Sequence, residues 1–192
     1  MAASIITEST LRDVYLPLEV RDIVKKLYTP INTSLRIKYS CFAVSSNLIV
    51  LGANTGAAYV FVKDPISYIS FIPNKERDIQ MVRFSPDGRC LAVGTGCGVA
   101  IVWELNISQL QSSKKILEIS EHKGSIISDM IWDNKGQQLF IGDTNGKISV
   151  AHMPGVLPRT VLSSTGGIRL RKPGIILVCE TPVVQLVSKI IE

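Results

Sequence analysis

Two histidines, His122 and His152, and four cysteines, Cys41, Cys90, Cys97 and Cys179, are all that this 192-residue chain offers for nucleophilic or metal chemistry beyond its hydroxyls and carboxylates. A hydrolase of the Ser-His-Asp or Cys-His kind needs a nucleophile beside a histidine that a carboxylate orients. The carboxylates Asp78, Asp87, Asp129, Asp133 and Asp143 are scattered, and no spacing singles out two of them for acid–base work. The cysteines include no CxxC pair and the histidines form neither a zinc-finger nor an HExxH pattern, so no metal site is expected. Gly142-Asp-Thr-Asn-Gly146-Lys147 approaches a phosphate loop. It has three residues between its glycines where four are needed, and Ile148 stands where Ser or Thr must reach magnesium. Gly94-Thr-Gly-Cys-Gly98 is not a GxGxxG frame and leads into a strand rather than the helix that would hold a pyrophosphate. Both read as turns. No cofactor and no small-molecule substrate are expected, and the chain reads as a non-enzyme.

The charge balance narrows the partners. The formal net charge is +5, with 46% hydrophobic and 19% charged residues, which supplies a core and excludes a wholly disordered chain. No block of five like charges exists, so nucleic acid is an unlikely partner. The most basic loop, with Arg169, Arg171 and Lys172, reads as a solvated turn or as a contact for an acidic partner or anionic membrane. The N-terminus has no basic n-region and no long apolar stretch, which points to the cytoplasm and reduced thiols. Residues 39–62 carry no charge over 24 positions, yet Ser45-Ser-Asn47 and Gly52-Ala-Asn-Thr-Gly56 break that run with turn formers, so it reads as strands and not as a membrane span.

Two kinds of element must carry these residues. Val20, Ile23, Val24, Leu27 and Tyr28 recur at helical spacing between Pro17 and Pro30, which predicts one amphipathic helix over 18–28 within an N-terminal segment 1–36. From residue 37 the helical period vanishes and three blocks align without a gap. They begin at Phe42, Phe84 and Trp132, spaced 42 and 48 residues. Each reads aromatic, nine residues, Gly, three residues, Gly, with the glycine pairs Gly52/Gly56, Gly94/Gly98 and Gly142/Gly146. The aromatic is expected to end a strand, the glycine pair to bracket a tight hairpin, and a fourth strand to follow at 66–72, 115–120 and 159–163. Such a period is that of a four-stranded propeller blade.

The blocks resemble WD repeats, with Trp103-Glu104 in place of the Trp-Asp dipeptide and Glu121-His122 in place of Gly-His. The resemblance implies that His122 joins one blade to the next. The turn aspartate of a typical repeat is assigned to Thr55, Cys97 and Asn145, so its hydrogen-bond tetrad is expected to be missing from every block, leaving apolar packing to hold the blades.

More narrowly, Val102-Trp-Glu-Leu-Asn106, Ser120-Glu-His-Lys-Gly124, Trp132-Asp133, Phe140-Ile-Gly-Asp143, Gly146-Lys147, Ser149 and Val183-Val-Gln-Leu186 resemble the N-terminal propeller of the Hermansky-Pudlak syndrome 5 family. That resemblance implies a non-enzymatic WD-repeat scaffold subunit for biogenesis of lysosome-related organelles and endosomal trafficking. It would be cytoplasmic, would meet endosomal membranes through partners, and would work by contact with the protein subunits of an organelle-biogenesis complex. The alternative is a WD-type adaptor that binds anionic membrane or nucleic acid through the basic loop. The expected architecture is all-β: an incomplete β-propeller over 37–192 with blades at 37–72, 79–120 and 125–178, a fourth begun at 182–192, and one N-terminal helix. About three and a half blades make an open arc, as in a truncated chain, with apolar faces left to a partner or a second copy.

Overall fold

The structure, a computed structural model, describes residues 22–187 except 33, 35, 77, 107 and 155–173. Short runs of apolar and β-branched residues between turn formers make strands wherever both faces can be covered. Among the described residues twelve form: β1 (Tyr39–Val44), β2 (Leu48–Ala53), β3 (Ala58–Lys63), β4 (Ile66–Ile72), β5 (Ile79–Phe84), β6 (Cys90–Thr95), β7 (Ala100–Glu104), β8 (Lys114–Ile119), β9 (Ile127–Trp132), β10 (Gln138–Asp143), β11 (Lys147–His152) and β12 (Gly174–Val178). They pair antiparallel in three four-stranded sheets, β1 to β4, β5 to β8 and β9 to β12, each in chain order. This is the all-β repeat architecture the glycine frame predicts. The fourth strand of the third sheet is Gly174–Val178. The segment 159–163, expected to supply it, lies outside the described residues, as do Arg169, Arg171 and Lys172.

The sheets stack face to face. Leu48, Val50, Ala58, Val60 and Ile72 of the first meet Ile79, Val82, Leu91 and Val93 of the second. Ala92, Ala100, Val102 and Ile119 on its other side meet Ile127, Met130, Trp132, Leu139 and Ile141 of the third. That is why β2, in the middle of its sheet, is buried at every position. The outer face of the first sheet is aromatic: Tyr39, Tyr59, Tyr68 and Phe71 lie ring to ring, with Tyr59 at 5.6 Å from Tyr39 and 6.0 Å from Phe71. Offset and tilted pairs of this kind add to the burial of their surfaces. A helix at 22–28 runs into a 3₁₀ turn at Thr29–Ile31, where Pro30 lacks the amide to continue it. Leu27 and Ile31 pack on that face and the Leu27 carbonyl accepts the Tyr39 hydroxyl at 2.8 Å, while Val24 and Tyr28 stay exposed. The helix therefore uses only part of its apolar stripe, and residues 18–21 of the expected span lie outside the described residues.

One element of the repeat frame shifts. Phe84 and Trp132 end β5 and β9 and pair with Leu91 and Leu139, but Phe42 pairs with Leu51, while Val44 takes the strand-ending place opposite Ile49. The hairpin after β1 has three residues, 45–47, against five at 85–89 and 133–137. The gapless alignment thus misplaces Phe42 by two positions, and its ring is 67% exposed. All three hairpins use one device. The side chain of the first turn residue accepts the amide that opens the next strand, Ser45 from Leu48 at 3.0 Å, Ser85 from Cys90 at 2.9 Å and Asp133 from Gln138 at 2.9 Å.

Trp132 is 6% exposed and its indole N–H donates to the Arg83 carbonyl at 3.4 Å. Trp103 is only half-buried at the edge of the first joint, with its indole nitrogen unpartnered. Trp132→Ala should therefore destabilise by about 3–5 kcal/mol and Trp103→Ala by less, about 1–3 kcal/mol. Urea titrations read by the remaining tryptophan check the order.

Candidate functional site

The glycine pairs and the histidine meet at the joints between sheets, and the joints repeat. A Cβ on Gly52 would lie 2.6 Å from the Ile79 side chain, on Gly94 2.8 Å from Ile127, and on Gly142 2.5 Å from Val183. The first glycine of each pair is thus the seat for the apolar residue that enters the next sheet. The second has positive φ, +86° at Gly56, +81° at Gly98 and +80° at Gly146, and its missing Cβ leaves room for carbonyls of the following linker: Glu76, His122 and Cys179. Both glycines are required for a reason that periodicity alone does not state.

Val183 stands where Ile79 and Ile127 stand. Its amide donates to the Asp143 carbonyl at 3.0 Å, and the Ser128 hydroxyl donates to its carbonyl as that of Ser40 does to Ile79. Residues 182–187 form no strand ladder, but they cross the third sheet on the course of a next first strand. Asp129 anchors them. Its carboxylate accepts the Leu186 amide at 2.7 Å, the Met130 amide at 2.9 Å and the Arg83 guanidinium at 3.1 Å. This residue stood unassigned among the scattered carboxylates.

The second joint corrects the expectation about the tetrad. His122 Nδ1 lies 2.8 Å from Asp143 Oδ2 and Nε2 lies 2.6 Å from Ser149 Oγ, with all three residues 0% exposed. A carboxylate only accepts, so Nδ1 carries the hydrogen of that bond, and Nε2 shares the second one with the Ser149 hydroxyl. The other oxygen of Asp143 accepts the amides of Asn145 at 2.8 Å and Lys147 at 3.0 Å. Burial pushes the Asp143 carboxyl up, but the His122 bond and the two amides outweigh it and hold the carboxyl below its ordinary value.

The turn aspartate is therefore Asp143, directly after the first glycine, and not the Asn145 position. The signal was the Gly-Asp step at 142–143. In the second sheet the same place is Thr95, whose hydroxyl bonds the Val99 carbonyl and amide at 2.8 and 3.0 Å, and in the first it is Ala53, which can do neither. One block of three carries the bonded histidine.

Ser149, His122 and Asp143 have the order of contacts of a hydrolytic triad. The Ser149 hydroxyl is sealed between sheets, and a substrate carbonyl has no path to it. What the arrangement does is fix the linker that holds His122 to the turn of the sheet that follows. Among the described residues no three His, Cys, Asp or Glu side chains gather as a metal site, and no helix is long and apolar enough to cross a membrane. Two clefts among the described residues are shallow. One of about 330 Å³ lies between Arg83, Pro86, Asp129, Trp132 and Leu186, and one of about 510 Å³ between Ile69, Ser70 and the loop at 108–112.

Three consecutive four-stranded blades joined in this way are part of a WD-type β-propeller. The solved WD40 repeats of RRP9 match 62% of this chain and 39% of that one, with a TM-score of 0.52 at 17% identity. The Cps50 (Swd1) β-propeller of Myceliophteria thermophila matches 61% and 40%, with a TM-score of 0.52 at 10% identity. These likenesses show the fold.

In sequence the chain is similar to proteins named as BLOC-2 complex member HPS5 or its homologues, as the motifs at 102–149 led one to expect. Identity is 26% over 172 residues to that of Aedes aegypti (81% of this chain, 20% of the relative). It is 24% over 152 residues to that of Drosophila melanogaster (79% and 18%). To human HPS5 it is 32% over 117 residues (60% and 10%). The chain thus spans a fifth or less of the length of these relatives. No family model matches it.

Proposed function

We propose that this chain is a non-enzymatic WD-repeat scaffold that acts by protein–protein contact within the complex to which its relatives are named. In this reading it lies in the cytoplasm, meets endosomal membranes through its partners, and serves the biogenesis of lysosome-related organelles. The observation that carries the proposal is the shared similarity to HPS5 proteins of three insects and of human. The structure supports it through what the chain presents, shallow clefts and exposed apolar side chains such as Phe42, Phe71, Ile176 and Leu177, which suit a partner protein better than a small substrate. The blade positions at 37–72, 79–120 and 125–178 would be three repeats of one propeller, with 182–192 as the start of a fourth.

The test is capture of the tagged chain from cells at about 0.1 and about 0.5 M salt, probed for BLOC-2 subunits. Those subunits are expected at both salts, since contacts built on apolar surface resist screening. Their absence at both would overturn the reading. Retention on anionic liposomes or nucleic acid that collapses steeply with salt, without BLOC-2 subunits, would favour the basic-loop adaptor instead.

A further inference from the structure

We propose that the outer edge of the third sheet, β12, is a self-pairing surface: it adds antiparallel to the β12 of a second copy of this chain about a two-fold axis. The observation is a contrast among the three outer strands. Among the described residues each closes its sheet with one ladder and has no partner on its outer edge, which proteins ordinarily guard with charge, proline or a covering element. β8 carries Lys114, Lys115 and Glu118. β4 interleaves Ser67 and Ser70 with its apolar residues and runs beside the 3₁₀ turn Leu110–Ser112 of the next sheet. β12 reads Gly-Ile-Ile-Leu-Val, with no charged or hydroxyl side chain, and among the described residues it pairs with β11 alone.

Ile175, Ile176, Leu177 and Val178 are 48–63% exposed, so four consecutive apolar residues face water on both sides of the strand. A bulge at 148–149 interrupts the β11–β12 ladder, but equivalent bulges interrupt β3–β4 at 60–61 and β7–β8 at 102–103. The bulge therefore does not set β12 apart; the missing charges do.

The chemistry of the edge points to a second copy. With no charge and no hydrogen-bonding side chain, β12 has nothing that selects an acidic, basic or polar peptide. Antiparallel pairing with itself sets only Gly, Ile, Leu and Val against one another in every register, and aliphatic β-branched pairs across strands are favourable. No like charges meet within the paired strands, although each copy carries a net +5. A two-fold axis satisfies the outward amides and carbonyls of both β12 edges at once and leaves neither β12 free, while β4 and β8 stay guarded, so pairing through β12 stops at two. Four side chains a copy make an interface below the standard size, and the dimer should be reversible, populated at about 100 µM and dissociated near about 1 µM.

Sedimentation velocity of the 192-residue chain across that range tests this, together with Ile176→Lys on the edge and Phe42→Lys on the exposed outer face of the first sheet. The wild type and Phe42→Lys are expected to dimerise alike, while Ile176→Lys stays monomeric with an unchanged circular dichroism spectrum. Amide exchange of the unmutated chain gives a second reading, with the β12 amides that face away from β11 protected at about 100 µM and not at about 1 µM. Three results would each overturn the proposal: a wild-type monomer throughout, a dimer that Phe42→Lys breaks and Ile176→Lys does not, or β12 amides on the side away from β11 protected equally at both concentrations.

Discussion

Gly98→Ala is expected to unfold the chain or to lower its stability by at least about 4 kcal/mol, more than any other addition of a single methyl group. Two independent effects add at this position. The backbone has φ of +81°, where a residue with a Cβ is strained by about 1–2 kcal/mol. The new Cβ would also stand 1.8 Å from the His122 carbonyl oxygen and 2.7 Å from that of Ser125, and both are backbone atoms that cannot turn aside. Overpacking costs typically about 1–3 kcal/mol where side chains can shift, and more where the backbone must move. The same movement would pull His122 from Asp143 and Ser149. Gly124 is the control, with φ of +86° and nothing within 4 Å of the place a Cβ would take, so Gly124→Ala should cost only the strain. Urea midpoints, or the soluble yield where Gly98→Ala does not fold, separate the two. Equal effects at both positions would show that the joint has no bearing on stability.

Asp143→Ala should cost about 3–5 kcal/mol, because it strands the His122 Nδ1–H and the Asn145 and Lys147 amides inside the second joint. Thr95→Ala, at the equivalent place in the preceding sheet, breaks bonds to Val99 alone and should cost about 1–2 kcal/mol. The acid limb carries the same information with a defined sign. A carboxyl held below its ordinary value in the folded state stabilises the fold above the unfolded value, and that contribution is lost as pH falls through the folded one. Stability should therefore decline from about pH 4 downward, and Asp143→Ala should flatten the decline. Asp87, held to about 2 by the Ser85 hydroxyl and Arg89, shares this direction. Its side chain is half-exposed and its ion pair with Arg89 is screened, so it adds less than about 1 kcal/mol. Urea titrations at pH 7 and pH 3 decide the matter, and an acid limb unchanged in Asp143→Ala would assign it to other carboxylates.

By itself the amino-acid sequence determined what depends on neighbours along the chain. Alternating and continuous apolar runs between turn formers set eleven of the twelve strands near their observed places, since the side-chain period of a strand is local. The second glycine of each pair marked the hairpin, because φ near +80° excludes most other residues whatever lies beyond. Tertiary structure decided what depends on partners distant in sequence. The histidine's role came with the repeat, but its contacts with Asp143 and Ser149, 21 and 27 residues away, exist only once two sheets dock. Phe42 and Val44 exchanged roles because a hairpin two residues shorter follows β1, which no spacing of glycines records. The third sheet took Gly174–Val178 as its fourth strand, an apolar segment that local pattern could not rank against 159–163. Why Gly52, Gly94 and Gly142 are glycines was decided by Ile79, Ile127 and Val183, each arriving from the next repeat to fill the space that a Cβ would have taken.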